Sequence, residues 1–267
     1  MTDSGNDRET LGTDGQARNA CHHSLARRGS RRFRLYKFLR YAKLNVMRAS
    51  AALCLALQLL AWGQETHPVT GRQIAPVMGM GGAGWLVRPE REQEEAPDAA
   101  LDALHIRKGS TAADIGAGAG YFTWRLAERV GPDGTVYAED IQPGMLDLLK
   151  KNIAAHGLHN VKPVLGKFDD PRLPTGQIDL VLLVDVYHEF SEPQKMLRRI
   201  RESLRPDGRL VLLEYRQEDP QVPIRPEHKM SVQQVKAEIE PEGYHFETSL
   251  ETLPRQHILI FTKTRNN

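Results

Sequence analysis

The sequence predicts an α/β domain, a doubly wound and mostly parallel seven-stranded sheet with an antiparallel last strand. Three observations predict it. From residue 98 onward, short β-like runs alternate with segments of helical spacing; that order builds a parallel sheet covered by helices on both faces. The run Ile178 to Val184 is apolar almost throughout, as a strand buried on both faces must be. The first run, Thr111 to Ile115, ends in Gly116-Ala117-Gly118-Ala119-Gly120 before a helix, the place where such a sheet binds its ligand.

Each element follows from local pattern. Ala99 to Leu104 is a short helix, and Thr111 to Ile115 the first strand. Phe122, Leu126 and Val130 recur at helical spacing over Tyr121 to Val130, and Gly131-Pro132-Asp133-Gly134 makes a turn. Thr135 to Glu139 is the second strand. Met145 to His156 is an amphipathic helix with Met145, Leu146, Leu149 and Ile153 on one face. Val161 to Leu165 and Ile178 to Val184 are the next strands. Pro193 to Leu204 is a helix, Arg205-Pro206-Asp207-Gly208 a turn, and Arg209 to Tyr215 the fifth strand. Val232 to Glu240 is the last helix; Tyr244 to Thr248 and His257 to Thr262 close the sheet. Residues 64–97 form a Gly- and Pro-punctuated lead that reads equally as a lid over a cofactor site or as a solvated linker. The folded domain is placed at 98–267.

Charge is unevenly distributed. The chain of 267 residues carries a formal +2, but residues 1–63 hold 11 Lys+Arg against 4 Asp+Glu. The remainder is therefore net negative, which argues against a nucleic-acid footprint on the body. Both cysteines, Cys21 and Cys54, precede residue 64, so the body holds no disulfide and no thiolate zinc site. Residues 1–46 read as a disordered basic extension, with Met47 the better start. Ala49 to Trp62 is an apolar run of 14 residues, short for a membrane span of about 20 and suited to a signal-peptide core of about 7–15. Segment 47–63 is thus a signal peptide cleaved before Gln64 or a membrane anchor, so the protein is exported (periplasmic or secreted) or anchored through this segment. A cytoplasmic protein with a short N-terminal helix is the alternative.

The chemistry sits in Asp114-Ile115-Gly116-Ala117-Gly118-Ala119-Gly120-Tyr121. Glycines let the backbone turn sharply and a ligand approach without a Cβ in the way. Asp140 lies 20 residues beyond Gly120 at the end of the second strand, where a carboxylate can accept the hydroxyls of an adenosine ribose. Dinucleotide sites favour Gly-x-Gly-x-x-Gly; here the spacing is Gly-x-Gly-x-Gly, and Asp114 precedes it. An acid beside the loop suits a ligand with an ammonium and a sulfonium better than one with two phosphates.

These motifs resemble the class I S-adenosylmethionine-dependent methyltransferase family, near its ubiquinone/menaquinone- and arsenite-type branch, over about residues 100–265. The resemblance implies a Rossmann-like fold, S-adenosyl-L-methionine as cofactor, and methyl transfer to a small-molecule acceptor. It assigns the cofactor loop to Asp114, Gly116, Ala117, Gly118 and Gly120, and the ribose to Asp140 with Ile141 beside it; Tyr121, next after the loop, is read as touching the methionine end of the cofactor or as packing. It assigns the adenine region to Gly166–Pro174, with Asp169 or Asp170 at the exocyclic amine and Lys167 where an acid is common. The fourth motif matches Asp185-Val186-Tyr187-His188-Glu189-Phe190, and Leu204 to Leu210 matches the turn before strand five, with Asp207 replacing a glycine. The cysteine-free body departs from the arsenite-type members, so arsenite is not expected as the acceptor.

His188, at a strand's C-terminal edge, is either a general-base candidate or a structural histidine. Tyr187 and Glu214 complete the catalytic candidates. Tyr215 and Arg216 end the fifth strand at the same edge. His228 and Lys229 read as a solvated loop. No metal is expected, because the histidines and carboxylates show no ligand spacing. A nicotinamide-dependent oxidoreductase is the alternative enzyme, and a non-catalytic cofactor-binding protein the alternative outside enzymes.

Overall fold

The computed structural model describes residues 65–264; the basic extension and the signal-like segment lie outside the described residues. The sheet runs β3-β2-β1-β4-β5-β8-β7, from β1 (Thr111–Ile115), β2 (Thr135–Asp140), β3 (Val161–Leu165), β4 (Ile178–Val184) and β5 (Leu204–Arg216) to β7 (Tyr244–Leu250) and β8 (Gln256–Lys263). The pairs among β1 to β5 are parallel. β8 runs antiparallel to both β5 and β7, so the last strand has the expected direction. The chain winds outward from β1 to β3 and then crosses to β4, which opens the crevice between β1 and β4 where such sheets bind ligands.

An eighth, two-residue strand, β6 (Lys229–Met230), pairs with Tyr215 and Arg216 of β5. It is too short to carry a periodic signal. The expected turn at 205–208 is absorbed into β5: Leu204 pairs with Ile178, the register slips, and Arg209 pairs with Leu180. The extra residues form a bulge, and Gly208 fits there because a Cβ would stand 2.8 Å from the Ile178 carbonyl.

The helices are α1 (Arg91–Glu95), α2 (Pro97–Ala103), α3 (Thr123–Val130), α4 (Pro143–Ala155), α5 (Pro193–Ser203) and α6 (Val232–Ile239). Three of them, α2, α4 and α5, open with proline in the first turn, as does the 3₁₀ turn after α6; there its fixed φ helps and its missing N–H costs nothing. β4 shows how the two layers share the sheet. Val181 and Leu183 pack with Leu197, Ile200, Leu259 and Phe261 on one face. Leu180 and Leu182 pack with Leu126, Val211, Ile258 and Ile260 on the other. Alternation at period two thus feeds two cores from one apolar run, each buried aliphatic side chain stabilising by about 1.5–3 kcal/mol.

The lead belongs to the same compact unit as the sheet. Thr66 bridges to Gln73, and Arg72 forms a two-pronged ion pair with buried Glu238 on α6. Thr70 donates to the same carboxylate at 2.5 Å, and the His67 ring stands 3.4 Å from it. Arg72 Nη1 and the Ala75 N–H both donate to the His188 carbonyl at 3.0 Å. Farther on, buried Glu95 of α1 accepts from Arg91 Nε at 2.8 Å and from the Tyr215 hydroxyl at 2.9 Å. No helix among the described residues is long and apolar enough to cross a membrane.

Candidate active site

A cavity of about 430 Å³ opens at the C-terminal ends of β1, β2, β4 and β5. Its floor is the glycine loop. Gly116 has φ 68°, and a Cβ there would collide with Val186, so only glycine makes this turn without strain. Two acids at the end of β2 brace the loop. The Gly118 N–H donates to Asp140 Oδ2 at 3.0 Å, and the Gly116 N–H donates to Glu139 Oε2 at 3.3 Å. Asp140 Oδ1 also accepts from the Gln142 N–H at 2.8 Å.

The cavity gathers five carboxyl groups, Asp114, Glu139, Asp140, Asp185 and Glu189, and burial pushes Glu189 up to about 7. Burial pushes Asp114 up to about 7, although the Thr123 hydroxyl donates to it at 2.6 Å. Burial pushes Glu139 up to about 8, and its Oε1 is buried with no hydrogen-bond partner among the described residues. Burial raises Asp140 too, against the pull of its two backbone donors. Asp185 adopts φ 50°, takes both its hydrogen bonds from Gln256 Nε2 at 2.9 and 2.8 Å, and is raised by burial and by the Glu95 charge. Carboxyls crowded this way favour a positively charged ligand and repel a diphosphate, which argues against the nicotinamide alternative.

The structure brings most of the expected cofactor residues together: Asp114, Gly116, Ala117, Gly118, Tyr121, Asp140, Ile141 and Asp185 all line the cavity, as does His188. The Arg91 and Arg125 guanidinium carbons both lie over the Tyr121 ring, 4.4 and 4.3 Å from its centroid, and its hydroxyl donates to Glu92. Four assignments change. Gly120 faces α4 instead of the cavity: it has φ 88°, and a Cβ would stand 2.5 Å from Leu149, so its task is close packing. Asp169 and Asp170 lie outside the lining, because the tight turn closed between Lys167 and Asp170 puts Phe168 at the cavity instead, with Asp170 accepting from the Arg172 N–H. Tyr187 is fully buried in the core and lies outside the lining; its hydroxyl is 3.4 Å from His67 Nε2. Glu214 is buried one layer back, outside the lining, against its neighbour.

That neighbour is His188, in the 3₁₀ turn Tyr187–Glu189 after β4. Its Nδ1 lies 2.6 Å from Glu214 Oε2, whose other oxygen accepts from the Tyr187 N–H at 3.0 Å. Burial works to lower the imidazole, but the Glu214 carboxylate holds it above its ordinary value. His188 Nε2 is 3.0 Å from His228 Nδ1, and burial lowers His228. His228 and Lys229, expected in a solvated loop, are half-buried and buried respectively, because β6 draws them against β5. Sequence reasoning also missed Glu139, whose signal was its place beside Asp140, and Arg91, Trp85 and Leu86, which the lead carries to the cavity wall.

The fold and the site together define a doubly wound α/β protein with a glycine loop braced by strand-end acids and a cavity suited to a cationic nucleoside. Residues 106–252 match the model of the Methyltransferase domain family, and the chain belongs to that family, whose cofactor is S-adenosylmethionine. It is 37% identical over 112 residues to the nocamycin O-methyltransferase of Saccharothrix syringae, covering 42% of this chain and 40% of that one. It is 32% identical over 111 residues to a demethylmenaquinone methyltransferase of Geobacillus stearothermophilus, covering 42% and 47%. The chain thus spans less than half the length of these relatives. Its fold is that of a SAM dependent methyltransferase from Aquifex aeolicus, with TM-score 0.67 and 24% identity over 70% of this chain and all of that one.

Proposed function

We propose that the protein transfers a methyl group from S-adenosylmethionine to a small-molecule acceptor. The observation that carries this reading is the 3.0 Å hydrogen bond from the Gly118 N–H to Asp140, which fixes the glycine loop against the strand-end acid inside a carboxyl-rich cavity. Asp140 would hold the ribose through lone pairs that its two backbone donors leave free. Gly116, Ala117 and Gly118 give the ligand room. Asp114 and Glu139 supply negative charge for the ammonium and sulfonium. Bound S-adenosylmethionine brings an activated methyl group, and the chain's residues contribute position, a dry site and a place for the proton. Leu86 lies over the loop, 3.0 Å from where a Cβ of Gly118 would stand. His188, oriented by Glu214, is the group for the acceptor's proton.

The cavity volume suits a small acceptor, and Val77, Trp85 and Phe168 give its mouth an exposed apolar rim. The net negative body supports no nucleic-acid partner. Calorimetric titration with S-adenosylmethionine and its demethylated product tests the reading. Micromolar binding that Asp140→Ala weakens by tenfold or more supports it; no binding of either ligand to the folded protein overturns it. We also propose export or anchoring through segment 47–63, on its apolar length after a basic stretch. An intact mass that begins at residue 64, or recovery with membranes, supports that; full-length protein in the soluble cytoplasmic fraction overturns it.

A further inference from the structure

We propose that His188, Glu189 and His228 form a binding site for a divalent transition-metal ion that opens onto the acceptor side of the cavity. Each offers one ligand atom, and these atoms lie within 4.8 Å of one another. Two histidines and one carboxylate are the donor set that suits zinc, iron(II) or manganese(II) and leaves coordination positions open.

Geometry supports the set. Two imidazole nitrogens on neighbouring corners of an ion, each about 2.1 Å from it, stand roughly 3.0–3.4 Å apart; His188 Nε2 and His228 Nδ1 are 3.0 Å apart. His188 is held as metal-bound imidazoles usually are, with its other nitrogen on a buried carboxylate, Glu214, at 2.6 Å. Glu189 is the longer arm. One of its oxygens meets the Met78 N–H at 3.4 Å, a weak tie that a modest side-chain rotation replaces with the ion. All three residues line the cavity, so open positions on the ion would face the acceptor, a hydroxyl or enol oxygen; with the ion on His188 Nε2, the ion in place of that nitrogen would ease loss of the acceptor's proton. That last step rests on the methyltransferase reading; the metal site itself does not.

The test is calorimetric titration of the chelator-treated full chain with Zn²⁺, with Co²⁺ absorption as a second readout. The wild type, His228→Ala, Glu189→Gln and Glu214→Gln are compared, and each is also titrated with S-adenosylmethionine. We expect one equivalent of metal to weaken at least tenfold in His228→Ala and Glu189→Gln, and 10- to 100-fold in the positioning variant Glu214→Gln. S-adenosylmethionine binding should persist in the first two. Glu189→Gln is isosteric and keeps the comparison valid if His228→Ala misfolds. No saturable metal binding, or binding that both ligand variants leave unchanged, overturns the proposal. Metal binding without S-adenosylmethionine binding would leave this site standing and remove the methyltransferase reading.

Discussion

Arg72 grips Glu238 with two prongs, Nη2 at 3.0 Å from Oε2 and Nε at 3.1 Å from Oε1, and both side chains are out of water. The same guanidinium reaches the His188 carbonyl. Removing one member of a buried pair leaves the other charge uncompensated, at a cost of about 3–5 kcal/mol. Arg72→Ala should therefore lower the unfolding free energy read from urea titration by that order, whereas Arg72→Met with Glu238→Leu should recover much of the loss. A single-variant loss under 1 kcal/mol would show that the lead is not anchored this way.

Asp114 and Glu139 make the metal-free and cofactor-free protein sensitive to pH. Both carboxyls are raised, to about 7 and about 8, so the folded state keeps protons that the unfolded chain releases near its ordinary values of about 4. The sign follows: stability falls as pH rises from about 4 to about 8 and then levels. Denaturation at pH 5 and pH 8 should show the drop, and Asp114→Asn should flatten it.

A cationic ligand favours the ionised carboxyls. S-adenosylmethionine should bind more tightly as pH rises through 7 to 8 and should release protons on binding below that range. Calorimetry at pH 6.5 in buffers of different ionisation enthalpy measures the release; heats that do not change with buffer would contradict it.

Glu139→Gln should separate stability from binding. Burial with an unpartnered oxygen makes the charge costly, so the neutral isostere should stabilise the ligand-free protein by about 1 kcal/mol at pH 8. The same change removes a charge from the cofactor site and should weaken S-adenosylmethionine about tenfold. Thermal melts and titrations on the same preparation give both signs.

Gly120→Ala puts a Cβ at φ 88° and 2.5 Å from Leu149. Leu149 is a flexible end and can yield, so the cost should be about 1–3 kcal/mol, mostly backbone strain. Because Gly120 faces α4 and not the cavity, cofactor affinity at low temperature should change less than stability does.

Much of this arrangement was legible in the sequence because it rests on local period and on fixed spacing. The apolar run of β4, the Gly116–Gly120 loop and the acid at Asp140 each carry their meaning within a few residues. What escaped was assembled across distance. His188 and His228 are 40 residues apart, and β6, which brings the second to the first, is too short for any pattern. Tyr187 reads as a neighbour of a site residue, but in a 3₁₀ turn successive side chains diverge, and it enters the core. Asp169 and Asp170 carry the right chemistry for an adenine contact, yet a tight turn presents Phe168 instead. The lead left lid and linker open, since its anchor depends on Glu238, far along the chain.

The placement of β8 constrains how the protein can be made. Ile258 and Ile260 fill one core while Leu259 and Phe261 fill the other, and the strand lies between β5 and β7. During synthesis, β1 to β5 emerge first and can pair among themselves, but β5 then presents an open apolar edge, and an open edge invites association with other chains. The nascent chain must wait, edge exposed, for β8 to arrive, and this interval is when a chaperone would matter most.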